Sequence, residues 1–448
     1  MTVNARRAAL EMVGNILDNG AYANLEAFRD HNLAKLSEVD KRFALEITYG
    51  TTKHRNTLDW VLEQSMSRPL EKVDPFVLNV LRTGAYQLLY MDRVPASAAC
   101  DEAVKIVKKQ RHQGVAGFVN GVLRSIARKY AGIDSIEFPD ILENPVEHIS
   151  LKYSYPCWMI QRWLENFGLD NTLAICRYHN TPPALTVRVN TLKTTVEAFT
   201  SLLTEEEIGW SPGQLCPESI AVKDYSKLEN DKASHSLYLT QSESSMVVSH
   251  VLEPVEGERV LDACAAPGSK TTHIAQLMGD KGRILAVDIH EHRLRLVENS
   301  CARLGISSVD TLLSDAREIG GKLDDKFDCI LVDAPCTGTG VLNKRADARW
   351  RKKPEDITFM SNLQKEILDS VVCLLKEGGR LVYSTCSLEP EENQQVLDYI
   401  LKKHPELTGE PISQYLPNQG FDKEAFAVQL APHSHNTDGF FISRLIRS

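Results

Sequence analysis

From about residue 241 onward, short apolar strands alternate with helical stretches, and nearly every strand runs into a loop of small, acidic or cysteine residues. Residues 259–263 read as a strand, and a helix follows from about Lys270. Residues 283–288 form a second strand and 291–304 a second helix. Further strands fit 311–313, 327–332 and 380–383. This order specifies a doubly wound, Rossmann-like α/β sheet that is mostly parallel, with helices on both faces. Residues 439–445 alternate apolar and polar and predict an antiparallel edge strand.

A chain of 448 residues exceeds one ordinary core, so more than one domain is expected. Leu10, Val13, Ile16 and Leu17 share one helical face. After the breaker Asp74-Pro75, the residues Phe76, Val77, Val80, Leu81, Tyr86, Leu88 and Leu89 continue a dense apolar pattern. The start of the chain therefore reads as an all-α bundle. Residues 132–145 carry Gly, Pro and Asp and read as a linker. Beyond it the pattern is mixed: Tyr155-Pro156-Cys157-Trp158 opens a helix, and Leu185-Thr186-Val187-Arg188-Val189 alternates like a strand. The expected organisation is a helical domain over 1–140, a linker and small α+β module over 141–240, and the α/β domain over 241–448.

Several classes are set aside. Ten scattered cysteines make no disulfide framework, and no Cys-x-x-Cys or Cys/His spacing suggests a metal. The start lacks the apolar core of a signal peptide, and no apolar run reaches membrane-spanning length. A soluble cytoplasmic protein is expected. The net charge of −9 argues mildly against nucleic acid, yet a binding face needs only a local basic patch. Residues 341–353 hold Lys344, Arg345, Arg349, Arg351, Lys352 and Lys353 against Asp347 alone. Residues 101–130 hold seven basic residues against Asp101 and Glu102. Taken alone, such a run reads as a solvated helix face.

In open α/β sheets, ligands bind beyond the carboxyl ends of the strands. The first such end leads into Cys264, Ala265, Ala266, Pro267, Gly268, Ser269 and Lys270. Small residues let backbone approach a ligand, and the following helix start favours an anionic group such as the carboxylate of a methionine. Asp288 ends the second strand, where a carboxylate can accept both ribose hydroxyls of an adenosine. Asp315, at the third strand end, can meet the adenine edge. The loop is neither a P-loop nor a Gly-x-Gly-x-x-Gly dinucleotide loop.

Two more strand ends carry Asp333-Ala334-Pro335-Cys336 and Ser384-Thr385-Cys386-Ser387. Adjacent strands would bring both cysteines to the cofactor rim. Carbon 5 of cytosine is a poor nucleophile until a thiolate adds to carbon 6. Asp333 is placed to stabilise such an adduct through the base's N3 and N4. A second cysteine can help the later loss of the carbon 5 proton. The residues alone leave open which cysteine attacks. Cys264 reads as packing or loop geometry, and the remaining cysteines as core or surface residues.

The 264–270 loop, Asp333-Ala334-Pro335-Cys336-Thr337 and Ser384-Thr385-Cys386-Ser387 resemble the signature motifs of the Sun/Nop family of RNA 5-methylcytosine methyltransferases. Arg188-Val189-Asn190-Thr191 and Tyr238-Leu239-Thr240-Gln241 resemble segments that precede that catalytic domain. Asp40-Lys41-Arg42, Thr48-Tyr49-Gly50 and residues 118–123 resemble a NusB-like RNA-binding domain. The combination resembles bacterial enzymes that methylate a cytosine of small-subunit (16S) ribosomal RNA. The resemblance implies Cys386 as nucleophile, Cys336 for product release, and S-adenosyl-L-methionine held by the 264–270 loop, Asp288, Asp315 and Asp333. It also implies RNA as partner, with no DNA or membrane, and a monomer. Alternatives are another RNA such as tRNA, a small-molecule or protein substrate, or a non-catalytic RNA-binding factor. The family's second loop glycine is Ser269 here, which is strained if the position needs positive φ; a tolerated small side chain with some effect on cofactor affinity is expected. The basic run 341–353 then reads as a backbone-phosphate contact, and 101–130 as a second. A target base in folded RNA must leave its stack to reach Cys386.

Overall fold

The computed structural model describes residues 4–24, 26, 33–183, 185–223, 225–231, 234–416 and 421–448. Two compact units emerge: Met1–Thr181 with Leu342–Lys352, and Pro182–Val341 with Lys353–Ser448. The first division between these units falls at Thr181.

The first unit is helical. The helix Pro75–Tyr90 starts where expected, because Asp74 caps it by accepting from the Val77 N–H and Pro75 supplies a preset φ. Gly50 explains how the helix Glu38–Lys53 approaches this one: a Cβ there would lie 1.9 Å from the Tyr86 ring. Leu58, Leu62, Leu81 and Leu123 are fully buried between the helices, each stabilising the unit by about 2 kcal/mol.

The segment Leu342–Lys352 belongs to this unit, and it corrects part of the basic-run reading. Arg349 is fully buried. Its Nη1 donates to the Ser154 carbonyl at 2.9 Å and to Asn180 Oδ1 at 3.0 Å, and its guanidinium lies 4.0 Å from the Tyr155 ring centre. Trp350 donates to the Thr52 carbonyl at 2.7 Å, and Arg351 to the Gly20 carbonyl at 2.6 Å. Arg349 thus anchors the segment and does not face a phosphate. Lys344, Arg345 and Lys353 are exposed.

The second unit holds two sheets. The smaller has the order β2-β3-β1-β4, from β1 (Thr186–Val189), β2 (Trp210–Pro212), β3 (Ser219–Val222) and β4 (Tyr238–Thr240), all antiparallel. Val187, Val189, Phe199, Leu203 and Ile220 close its core.

The larger sheet runs β10-β12-β9-β8-β5-β6-β7, with β11 paired to β12. Its strands are β5 (Arg259–Asp262), β6 (Arg283–Asp288), β7 (Val309–Leu313), β8 (Phe327–Asp333), β9 (Leu375–Thr385), β10 (Leu407–Gly409), β11 (Ala427–Leu430) and β12 (Phe440–Arg447). From β7 to β9 the pairing is parallel, as the alternation specifies. Strand order reverses at β5, which pairs β6 on one side and β8 on the other; open α/β sheets bind ligands beyond such a switch point. The expected antiparallel strand at the carboxyl end is β12, but it is not an edge. It pairs β9 on one side and β10 and β11 on the other, so Ile442, Ser443, Arg444 and Leu445 are all buried.

Candidate active site

The helix Ser269–Leu277 begins directly after the small-residue loop that leaves β5. Gly268 has φ +99, and a Cβ there would lie 3.0 Å from Val297 Cα, so only glycine suits this turn. Ser269 is the first residue of the helix and is not among the positive-φ residues. The serine is therefore unstrained, and the family's second glycine is not demanded by backbone geometry here.

The three strand-end carboxylates named from sequence each have defined partners. Asp288 is buried; its Oδ1 accepts from the His290 N–H at 3.0 Å and its Oδ2 lies 3.2 Å from Arg293 Nη1. Arg293 also donates to the Ala266 carbonyl at 2.9 Å, linking Asp288 to the loop. Asp315 pairs with Arg317 at 2.6 Å, a hydrogen bond that holds its carboxyl below the ordinary range. Asp333 receives Lys270 Nζ at 2.7 Å and Ser384 Oγ at 2.8 Å. Asp333 and Ser384 face one another in the β8–β9 register, which is why their side chains meet. Lys270 is itself buried and lies 4.9 Å from the Phe440 ring centre.

Both cysteines follow these paired strand ends, and their Sγ atoms lie 3.3 Å apart. The contact with Cys386, burial, and the charges of Glu392 and Asp333 push the Cys336 thiol well above its ordinary 9.0. Cys336 thus faces Cys386 directly. Cys264, desolvated and near Asp262, Asp333 and Asp288, is also pushed well up. Asp262 is fully buried, and burial raises its carboxyl to about 7 while Thr271 Oγ1 donates to it at 2.7 Å.

Sequence reasoning named two short segments without a role, and the structure joins them. Arg188 on β1 is buried, and its Nη1 donates to the Ser269 carbonyl at 2.6 Å and to Gln241 Oε1. Its Nη2 donates to Thr272 Oγ1 at 2.9 Å. One guanidinium thus pins the start of the loop helix. Glu218 balances it nearby, lying 2.8 Å from His250 Nε2 and 2.7 Å from His273 Nε2, with Cys216 alongside. Arg188, Arg293 and Ser384 are not singled out as site residues by the sequence; nothing local marks Arg188 or Ser384, whose partners lie far along the chain.

The loop and the strand-end carboxylates have the chemistry to hold a small ligand with ribose hydroxyls and an anionic group. A glycine turn admits close approach, a helix start faces the loop, and carboxylates stand at successive strand ends. Comparison with known proteins agrees. Residues 249–446 match the family model "16S rRNA methyltransferase RsmB/F". Residues 3–128 match the NusB family, and 155–229 match the ferredoxin-like domain of RsmF/B-like methyltransferases. A "Probable ribosomal RNA small subunit methyltransferase B" of Bacillus subtilis is 36% identical, covering 98% of each chain. The crystal structure of PH0851 superposes with a TM-score of 0.80 at 31% identity, over 100% of this chain and 99% of that one. A methyltransferase homologue from Pyrococcus horikoshii gives 0.58 at 32% identity, over 68% and 99%. Near-complete coverage by so similar a relative, with all three regions matched in order, places the chain in the 16S rRNA methyltransferase RsmB/F family of S-adenosylmethionine-dependent enzymes.

Proposed function

We propose that the protein methylates carbon 5 of a cytosine in small-subunit (16S) ribosomal RNA through a covalent Cys386 adduct. The observation that carries this reading is the 3.3 Å contact of Cys336 and Cys386, beside an Asp333 fixed by Lys270 and Ser384. The 264–270 loop, Asp288, Asp315 and Asp333 would hold S-adenosyl-L-methionine, which supplies an electrophilic methyl group when bound.

Cys386 adds as thiolate to carbon 6 of the base, which makes carbon 5 nucleophilic. Asp333 stabilises the adduct at the base's N3 and N4 edge. After methylation a base takes the carbon 5 proton, the C5–H electron pair re-forms the C5=C6 double bond, and the S–C6 pair returns to Cys386 as thiolate, restoring the aromatic base. Cys336 assists this release, since a neighbouring sulfur at 3.3 Å lies within reach of the same ring.

RNA as partner is supported by the NusB match and by the basic run 101–130. There Lys105, Lys108, Lys109, Arg124, Arg128 and Lys129 are exposed on helices Ala96–Lys108 and Gln113–Lys129 or just beyond the first. The proposal places the enzyme in the cytoplasm as a monomer, with the helical region 1–140 serving RNA contact and 241–448 the chemistry. Among the described residues no helix is long and apolar enough to cross a membrane.

The test is methyl transfer from labelled S-adenosylmethionine to protein-free small-subunit ribosomal RNA, followed by nucleoside analysis. Labelled 5-methylcytidine that vanishes in Cys386→Ala is the expected result. Label in tRNA alone would move the substrate. No label in any RNA would turn the reading toward a non-catalytic RNA-binding factor or a small-molecule substrate.

A further inference from the structure

The two cysteine loops share one buried carboxylate. Glu392 is fully buried. Its Oε2 accepts from the Thr337 backbone N–H at 2.8 Å and from Gln364 Nε2 at 3.0 Å. Its Oε1 accepts from Ser387 Oγ at 2.7 Å and from Thr337 Oγ1 in a closer contact. Thr337 follows Cys336 in the chain, and Ser387 follows Cys386. Gln364 Nε2 also donates to the Pro335 carbonyl at 2.9 Å, so the residue before Cys336 is tied to the same group. A second bridge runs beside it, where the Leu388 N–H donates to Thr339 Oγ1 at 2.9 Å.

Burying a carboxylate is costly, and an apolar side chain would fill the space with less penalty. What an apolar side chain cannot do is hold donors from both loops at once. Four donors converge on Glu392, from the Cys336 loop, the Cys386 loop and the helix Pro354–Val372 behind them.

We infer that Glu392 is a positioning residue for methyl transfer, clamping the Cys336 loop to the Cys386 loop and so setting the separation of the two sulfurs. The inference rests on the cysteine reading proposed above. Glu392 does not reach substrate or cofactor; it acts through Thr337 and Ser387. Because the reacting groups must meet within a fraction of an ångström, a small loosening of either loop lowers turnover without weakening binding.

Glu392→Gln tests this. The amide replaces one acceptor oxygen by a donor facing donors, so one loop must shift. The expected result is a kcat reduced about 30-fold or more, with KM for RNA and for S-adenosylmethionine within about threefold. Thr337→Val and Ser387→Ala each remove one hydroxyl donor, and each should lower kcat less than Glu392→Gln does. A Glu392→Gln protein that folds and turns over within twofold of wild type would overturn the clamp. If Glu392→Gln does not fold, the Thr337→Val/Ser387→Ala double variant decides: wild-type kcat overturns the inference, and a selective loss of kcat supports it. Cys386→Ala is measured alongside. An inactive Cys386→Ala with a fully active Glu392→Gln sinks only the clamp, whereas an active Cys386→Ala sinks the cysteine reading and the clamp with it.

Discussion

Cys336 and Cys386 stand 50 residues apart in sequence and 3.3 Å apart in space, each three or one residues beyond the end of neighbouring parallel strands β8 and β9. The β8–β9 register, which pairs Asp333 with Ser384, sets this proximity. A sulfur pair so close can act on one pyrimidine ring in sequence. Cys386→Ala is expected to abolish methylation while cofactor binding survives. Cys336→Ala is expected to accumulate a protein–RNA adduct that withstands denaturing electrophoresis. The reverse pattern would exchange the two roles.

Lys270, in the 264–270 loop, and Asp333 form an ion pair at 2.7 Å, with the lysine side chain almost wholly buried. Lys270→Met leaves Asp333 without its cation and withdraws the restraint on its orientation. Methyl transfer should fall about 100-fold, or ~3 kcal/mol in barrier. Single-turnover kinetics at saturating cofactor would show it, and an unchanged rate would remove Asp333 from the chemistry.

Asp262 gives the fold a defined pH response. Its carboxyl is raised from 3.8 to about 7 by burial, so the native state keeps a proton that the unfolded chain loses. Stability from this group is full below pH 3.8 and is lost as pH rises to about 7, with a slope approaching ~1.4 kcal/mol per pH unit. Above that the contribution is flat. Asp262→Asn keeps an acceptor for Thr271 and removes the titration. Its thermal midpoint relative to wild type should therefore climb between pH 5 and 7, about the window set by the two values. Parallel curves for the two proteins would show that Asp262 ionises normally.

Ser269→Gly restores the residue the resemblance expects. Since Ser269 already has helical geometry, the glycine gains no conformational relief. Cofactor affinity should stay within about twofold, and stability should drop by up to ~1 kcal/mol from the added backbone freedom of the unfolded chain. Isothermal titration reads the first and chemical denaturation the second. A tenfold gain in affinity would show that the serine side chain obstructs the ligand.

Arg188→Met removes a buried guanidinium whose partners include the Ser269 carbonyl, Thr272 and Gln241. It also removes a positive charge near Glu218, which keeps its contacts with His250 and His273. A loss of ~3–5 kcal/mol is expected by urea denaturation, together with weaker cofactor binding. A loss below ~1 kcal/mol would mean that the loop helix is held by packing alone.

The order of strands and helices from 259 to 385 was legible because it rests on local periodicity, and the pairing from β7 to β9 followed from that alternation. The loop after β5, Asp288, Asp315, Asp333 and both cysteines could be named because such loops sit where parallel strands end, and strand ends show in sequence. Gly268 was likewise readable, since a tight turn before a helix calls for positive φ.

Other features depend on partners distant in the chain, and only the tertiary structure decided them. Arg349 looked like its neighbours in a basic run, yet its carbonyl partners near residue 154 bury it while Lys344 and Arg345 remain exposed. The alternation of 439–445 was consistent with an edge strand, but β10 and β11 cover its free side, which no pattern within those residues can announce. Arg188 lies 81 residues from the carbonyl it holds, and Glu392 lies 55 from Thr337. A buried charge is stable only where its partners converge, and convergence is a property of the folded chain. The sequence by itself determined which residues could do the chemistry; the packing of distant segments decided which charges are anchors, which are exposed, and how far apart the two sulfurs stand.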